Sequence, residues 1–260
     1  MKLLFSFLFA TIALFGAEFS VTNISELRQA LKDAENNNES DTISLKSGLY
    51  LVDGEQLEYN SSENLEIVGV DDNVTLSGGN SSRILYIDSG NSNDVNSIVK
   101  ISNLTFVDGN SSDNGGAIYS KVNLIIQDCN FSNNSASDDW NGEGGAVYGY
   151  NVQIENSTFS NNSASGSYAK GGAVFGSDIQ IVDSNFSNNS AKHSGGAVSG
   201  GVITITNSTF SNNSASGGDY AGGGAVSGYS NIAITNSTFT NNFASNRGGA
   251  VFVDNDKTVI

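Results

Sequence analysis

Three polar insertions in a repetitive chain carry one aromatic residue each, and these rings could bind a ligand. They are Trp140 in SDDWNGE, Tyr168 in SGSYAK and Tyr220 in SGGDYAG. If the insertions emerge at one corner of the fold, the rings form a broken exposed row suited to sugar rings or to a partner protein. The alternative is that each ring folds back and covers its own loop.

A second set of aromatic residues follows a recurring Gly-Gly-Ala motif. The rings at this position are Tyr119, Tyr148, Phe175 and Phe252, and two serines interrupt the row. If the neighbouring aliphatic residues point inward, these rings point outward and stack down one face, where they could contact a ligand. Ordinary packing on the strands is the alternative.

Polysaccharide lyases and hydrolases need converging charged groups, and this chain supplies few. A lyase needs a basic side chain beside acidic calcium ligands, and a hydrolase needs two or three carboxylates about 5–10 Å apart. Beyond residue 100 the bases share no position in the repeats; they are Lys121, Lys170, Lys192, Arg247 and Lys257. We therefore predict a binding protein with no catalytic residue, metal site or cofactor, and keep an extracellular polysaccharide lyase or hydrolase as the alternative.

Other groups that could do chemistry are isolated in the sequence. His193 lies alone in the loop SAKHS, and Cys129 takes a place that serine fills in other copies. We predict a solvated histidine and a buried thiol. Asp138, Asp139 and Glu143 in one insertion could hold calcium weakly, but a solvated acidic tip is the simpler interpretation.

A sequence motif that recurs along the chain must position these residues. Segments with alternating aliphatic residues end at a phenylalanine that recurs every 24 to 29 residues, as from 186 to 210 and from 210 to 239. The phenylalanines predicted to stack are Phe131, Phe159, Phe186, Phe210 and Phe239. A pair of asparagines follows each ring, and their amides could bond along the stack. The second members of these pairs are Asn134, Asn162, Asn189, Asn213 and Asn242.

The spacing of the motifs predicts the fold class, which is all-β. From the first glycine of each Gly-Gly-Ala to the next phenylalanine is always 15 or 16 residues, whereas the return distance varies from 9 to 13. One side of the repeat is therefore fixed, and the other accepts insertions. This is typical of a parallel β-helix, whose coils lie about 4.8 Å apart like neighbouring strands.

The beginning of the chain differs from the repeats. Residues 18–63 are predicted to form an N-terminal cap with strands around an amphipathic helix at about 24–35. Asn23 and Glu26 make a capping box at the start of that helix. The β-helix repeats are predicted over 64–260, with an incomplete last coil.

Charge and the first residues indicate where the protein works. Residues 1–17 are typical of a signal peptide, with Lys2 before an apolar run and small residues at the end. We expect an exported protein at the cell surface or outer membrane, or a secreted one. The chain has 27 Asp and Glu against 11 Lys and Arg, a formal charge of −16. Such a chain repels nucleic acid, so we predict no nucleic-acid partner.

The alternation of Gly-Gly-Ala-Ile/Val with Phe-x-x-Asn resembles the tetrapeptide pair of the polymorphic outer membrane proteins, within the right-handed parallel β-helix repeat proteins. The resemblance covers roughly residues 64–260. It implies a surface-exposed passenger domain that acts as an adhesin, and we expect an adhesin-like passenger without its membrane barrel. The expected partner is a host or neighbouring-cell surface protein or glycan. The incomplete last coil also predicts end-to-end self-association.

Overall fold

The chain is coiled into a parallel β-helix. The computed structural model describes residues 16–91, 94, 96–217, 221–254 and 258–259. In these residues the strands form three parallel sheets that run along about nine coils. The sheets are numbered 1 to 3 below, and the strands are numbered in chain order.

Sheet 1 contains 15 strands, and most of its inward side chains are aliphatic, with Asp41 and Tyr59 as buried exceptions. The strands are β1 (Glu18–Val21), β2 (Asp41–Leu45), β4 (Leu57–Tyr59), β5 (Leu65–Gly69), β7 (Leu85–Ile87), β8 (Ile98–Ser102), β11 (Ile118–Ser120), β12 (Asn123–Gln127), β15 (Val147–Glu155), β18 (Val174–Val182), β21 (Val198–Thr206), β24 (Val226–Gly228), β25 (Ile232–Thr235), β28 (Val251–Val253) and β29 (Thr258–Val259). Several coils contribute two separate strands to this sheet. In the coils of β15, β18 and β21 the two are joined into one continuous strand, so that β15 pairs with both β11 and β12, and β21 pairs with both β24 and β25.

Sheets 2 and 3 complete each coil with short strands. Sheet 2 has eight strands: β3 (Gly48–Leu51), β6 (Val74–Ser77), β9 (Thr105–Val107), β13 (Asn130–Ser132), β16 (Thr158–Ser160), β19 (Asn185–Ser187), β22 (Thr209–Ser211) and β26 (Thr238–Thr240). Sheet 3 has six: β10 (Asn110–Ser111), β14 (Ser135–Ser137), β17 (Ser163–Ser165), β20 (Ser190–Ala191), β23 (Ser214–Ala215) and β27 (Phe243–Ala244). The insertions follow sheet 3, where the sequence indicated a free corner.

Each repeat places one phenylalanine of sheet 2 in the core. Neighbouring rings lie 4.7 to 4.9 Å apart, with planes within 5° of parallel. The rings of this column are Phe106, Phe131, Phe159, Phe186, Phe210 and Phe239. All except Phe239, which is partly buried, are at most 1% exposed. The stacked rings fill the same corner in these six coils because the strands pair in register.

Only the second asparagine of each pair forms a ladder. The Asn162 side-chain amide donates to the Phe131 carbonyl at 3.1 Å and to Asn189 Oδ1 at 3.0 Å. Its own Oδ1 accepts from the backbone and the side-chain amide of Asn134, both at 3.0 Å. Asn161, the first member, is exposed with φ 56°. The prediction that both amides bond along the stack is therefore wrong for the first asparagine, which makes the left-handed turn and points outward.

The second glycine of the Gly-Gly-Ala motif allows close approach between coils. A Cβ on Gly172 would lie 2.0 Å from the Gly196 carbonyl oxygen and 2.5 Å from that of Ser190. The preceding Gly171 has φ +65°, which favours glycine as well. The motif is therefore a requirement of the backbone rather than of a ligand.

Replacing Gly172 with alanine is expected to lower the free energy of unfolding by about 1–3 kcal/mol, because the methyl group overlaps backbone atoms that cannot move independently. The same change at Gly249 serves as the control, since among the described residues a Cβ there would meet only the Asn242 carbonyl oxygen, at 3.7 Å. Urea unfolding of both variants measures the difference. Equal losses at the two positions would contradict this account of the motif.

The helix lies where its capping residues predict it, whereas the first coil begins earlier than predicted. Helix α1 (Ile24–Glu35) begins at Asn23, whose side-chain oxygen accepts the Glu26 amide at 3.0 Å. It packs against β1, β2 and β4. The β-helix begins earlier than the predicted residue 64, because β2, β3 and β4 already pair in parallel with β5, β6 and β7. Residues 1–15 of the predicted signal peptide lie outside the described residues.

Candidate functional site

Two of the three predicted insertion rings lie side by side on the surface. Trp140 is 64% exposed and Tyr168 is 46% exposed. Their ring centroids are 6.0 Å apart, and their planes are within 8° of parallel. The two rings therefore stand out from the corner and do not fold back over their own loops. Tyr220, the third predicted ring, lies outside the described residues.

Backbone hydrogen bonds between successive coils position this pair. The Tyr168 amide donates to the Trp140 carbonyl at 2.7 Å, and the Ser167 amide donates to the Asp139 carbonyl at 3.2 Å. Because this bonding continues from sheet 3 into the insertions, the rings come into register. His193 in the next coil lies 5.6 Å from Tyr168 with a tilt of 45°. The prediction of a solvated histidine is wrong, since the half-buried ring extends the aromatic row.

The carboxylates near these rings separate into two environments. Asp138 and Asp139 are exposed beside Trp140. Glu143 is half-buried and pairs with Lys170 at 3.6 Å. Burial raises the pKa of the Glu143 carboxyl, although Lys170 opposes the shift. In the described part of the chain, no three His, Cys, Asp or Glu residues lie close enough to hold a metal ion.

The rings after Gly-Gly-Ala form a second row, on the outward face of sheet 1. Tyr119 lies 4.8 Å from Tyr148, and Tyr148 lies 5.4 Å from Phe175, all nearly parallel. Tyr86 extends the row by one coil, 5.2 Å from Tyr119. The sequence patterns missed Tyr86 because no Gly-Gly-Ala precedes it, although its strand β7 pairs in register with β11. These four rings are called the outer ladder below.

The outer ladder offers a ligand the edges of its rings. Its planes are 9° to 15° from parallel, so the faces cover one another, and all four rings are half-buried. The hydroxyls of Tyr119 and Tyr148 have no hydrogen-bond partner among the described residues, and burial raises the pKa of both. Because a sugar ring stacks on an aromatic face, the outer ladder is a poorer platform than the exposed insertion rings.

Another tyrosine covers the interruption in the outer row. Ser199 and Ser227 occupy the ring position in two coils. Tyr229 leans back over the gap, with its hydroxyl 3.3 Å from Ser199 Oγ and its ring 6.4 Å from Phe175. The motif alignment missed Tyr229 because it stands two residues beyond the ring position. Phe252 resumes that position in the following coil.

Four basic side chains gather along this outward face, although the sequence suggested that the bases were scattered. They are Arg83, 5.3 Å from the Tyr119 ring, Lys121, 5.8 Å from Tyr86, Lys170, 5.1 Å from Tyr229, and Arg247, 5.7 Å from Phe252. Long side chains reach one face from different positions in the repeat, which an alignment of motifs does not reveal.

Three of these bases also face carboxylates. Lys121 lies 2.6 Å from Asp88, and Arg83 lies 3.7 Å from Asp113. Lys170 has its partner Glu143, described above. The charges are therefore balanced locally, and the outer face is bound together by cation–π contacts and ion pairs.

Cys129 is buried in the column of small residues next to sheet 2. Its backbone amide donates to Ser157 Oγ at 3.1 Å, as the serines do from coil to coil. Burial raises the pKa of the thiol to about 12. A thiol held protonated in this way is a poor nucleophile, consistent with a purely packing role.

The three parallel sheets, the inner phenylalanine column and the asparagine ladder define a parallel β-helix repeat protein, which presents aromatic residues at one corner. Five segments match the model of the Chlamydia polymorphic membrane protein (Chlamydia_PMP) repeat: residues 105–121, 128–150, 156–177, 183–203 and 236–254. The chain therefore contains repeats of the polymorphic membrane protein type. Searches of curated proteins and of solved structures gave no match.

Proposed function

We propose that this chain is an exported, surface-exposed binding module that acts as an adhesin-like passenger domain. The family match supports a location at the cell surface. Among the described residues, no helix is both long and apolar enough to cross a bilayer. The proposed partner is a protein or glycan on a host or neighbouring cell.

The observation that carries this proposal is the exposed Trp140–Tyr168 pair. Large aromatic side chains on a surface are typical of interaction sites, where they supply contact area at a low cost in side-chain entropy. Hydrogen bonds between coils hold both loops, so the rings are positioned before a partner arrives. A rigid β-helix with a preformed aromatic corner favours binding over chemistry.

We also propose that the chain binds without catalysis. The best candidate for a catalytic cluster is Glu143 with Lys170 beside the Tyr229 ring. Glu143 is paired with Lys170, and Lys170 also contacts the Tyr229 ring, so these groups interact with one another rather than with a substrate. Incubation with a panel of polysaccharides, followed by assays for reducing ends and unsaturated products, tests this proposal. Release of either product would support the lyase or hydrolase alternative.

Replacing Trp140 and Tyr168 together with alanine is expected to weaken binding to cultured host cells at least tenfold, because the exposed contact area is lost. Binding of the labelled chain is measured by flow cytometry over a concentration series. The urea midpoint should stay unchanged, since both side chains stand outside the core.

A matched double variant controls for the loss of exposed apolar surface. Leu49 is 65% exposed and Tyr150 is 52% exposed, and both lie away from the insertion corner. Replacing these two with alanine should leave cell binding unchanged. Equal binding by the parent chain and both double variants would refute the proposed site.

A further inference from the structure

The exposed pair differs from five rings on the outward face of sheet 1, each of which has a basic side chain of the same protein beside it: Tyr86, Tyr119, Phe175, Tyr229 and Phe252. On the outward face of sheet 1, basic side chains lie 5.1 to 6.0 Å from the rings. No Lys or Arg of the described residues lies over Trp140 or Tyr168 at such a distance. Trp140 contacts one aromatic ring, Tyr168, and its indole is otherwise largely exposed. One face of the best cation–π acceptor among the side chains is therefore available to a partner.

Two carboxylates beside this ring also lack a cationic partner. Asp138 and Asp139 are exposed in the same insertion, and neither forms an ion pair within the described residues. Asp138 accepts a hydrogen bond from the Asn141 amide at 3.3 Å. The nearby base Lys170 is already paired with Glu143. The corner thus combines an open indole face with uncompensated negative charge.

The negative net charge of the chain favours a positively charged ligand. With a formal charge of −16, the protein attracts positively charged surfaces and repels sulfated or sialylated glycans. A neutral sugar would stack on Trp140 but would gain nothing from the two carboxylates as charges. An arginine or lysine side chain would use both features at once.

We propose that the corner formed by Trp140, Tyr168, Asp138 and Asp139 binds a basic polypeptide segment. An arginine or lysine of the partner lies over the open face of Trp140, and Asp138 and Asp139 compensate its charge. The inference rests on the proposed function, because it names the class of partner for the same corner. The contact would be a cation–π interaction like the one between Arg83 and Tyr119 within this chain, with the cation supplied by another protein.

The single tryptophan of the chain makes the test direct. Trp140 is the only fluorophore of its kind, so a change in tryptophan emission reports the proposed site alone. The full chain is titrated with a twelve-residue peptide containing four arginines separated by Gly-Ser. The matched control is the same peptide with citrulline in place of arginine, which keeps the shape and removes the charge. We expect saturable quenching with the arginine peptide and at least tenfold weaker binding of the citrulline peptide.

Variants of the chain separate charge from stacking. The double change Asp138→Asn and Asp139→Asn keeps the indole and should weaken the arginine peptide at least tenfold, with less dependence on salt. Tyr150→Ala, which removes an exposed ring elsewhere, should leave the affinity unchanged. Equal binding of both peptides, or an affinity indifferent to the two aspartates, would overturn the inference.

The cell-binding assay distinguishes failure of this inference from failure of the proposed function. If the Trp140 and Tyr168 double variant loses cell binding while the arginine peptide leaves the emission unchanged, the corner binds another class of ligand and the basic segment is excluded. If a neutral oligosaccharide quenches Trp140 equally in the parent and the aspartate double variant, the same conclusion holds. If cell binding and emission are both indifferent to the corner, both proposals fail.

Discussion

Replacing Phe159 with alanine is expected to lower the free energy of unfolding by about 3–5 kcal/mol, the usual cost of deleting a buried aromatic side chain. The ring is fully buried and lies 4.7 Å from Phe131 and 4.8 Å from Phe186. Its removal leaves a hole between two rings that the paired backbones hold apart. Urea unfolding, followed by circular dichroism, measures the loss.

Phe243→Ala is the matched control for that experiment. Phe243 belongs to sheet 3 and is 57% exposed, so its truncation should change the free energy of unfolding by less than about 0.5 kcal/mol. Because stability in a repeat protein is shared between neighbouring coils, hydrogen exchange should show the Phe159 effect concentrated in the coils around it. A loss below 1 kcal/mol for Phe159→Ala would mean that the ring does not occupy the core.

Changing Asn162 to aspartate is expected to cost about 3–5 kcal/mol at pH 7, because it leaves an uncompensated charge in the core. Asn162 is fully buried, and its amide donates two hydrogen bonds that a carboxylate cannot make. The new carboxylate would also face the Asn189 oxygen, an acceptor against an acceptor. Urea unfolding at a series of pH values measures the effect.

The sign of the pH dependence follows from burial. In the folded state the pKa of the introduced carboxyl is raised above its unfolded value of about 3.9. Between these two pKa values the folded state binds more protons than the unfolded state. The variant therefore loses stability relative to the parent as the pH rises from the unfolded pKa to the folded pKa, and it regains that stability in acid. The adjacent Asn161→Asp is the control: Asn161 is exposed in a left-handed turn that aspartate tolerates, and the change should be nearly neutral. Equal effects at the two neighbours would contradict the ladder.

The sequence was sufficient to predict the repeated coils and their inner column. Identical residues recur at equal distances from the strands, and parallel in-register pairing leaves them one place to lie. The coil before residue 64 was not recognised because Tyr50 occupies the column where later coils have phenylalanine; Leu76 takes this place in the next coil, which lies within the predicted range. Their register depends on inward aliphatic residues such as Ile43, which keep no fixed identity.

The surface features were only partly predictable. The Trp140–Tyr168 pair follows from two insertions at one corner, whereas the contact with His193 depends on how far each loop bends. Tyr229 joins the outer row from a different place in the repeat, and the bases reach it over long side chains. Such contacts depend on how far each side chain extends toward other coils, and the spacing of the motifs along the chain does not predict this.

The asparagine ladder has a consequence for the way such a chain changes its length. From Asn134 to Asn213, each side-chain amide accepts a hydrogen bond from the coil before through its oxygen and donates one to the coil after through its nitrogen. A duplicated repeat inserted by unequal recombination could therefore form the asparagine hydrogen bonds with the coils on both sides. The molecule would become about 4.8 Å longer without any compensating substitution. Loss of a repeat would shorten it just as cleanly. Identical copies such as residues 156–166 and 207–217 are what recent events of this kind would leave in the gene.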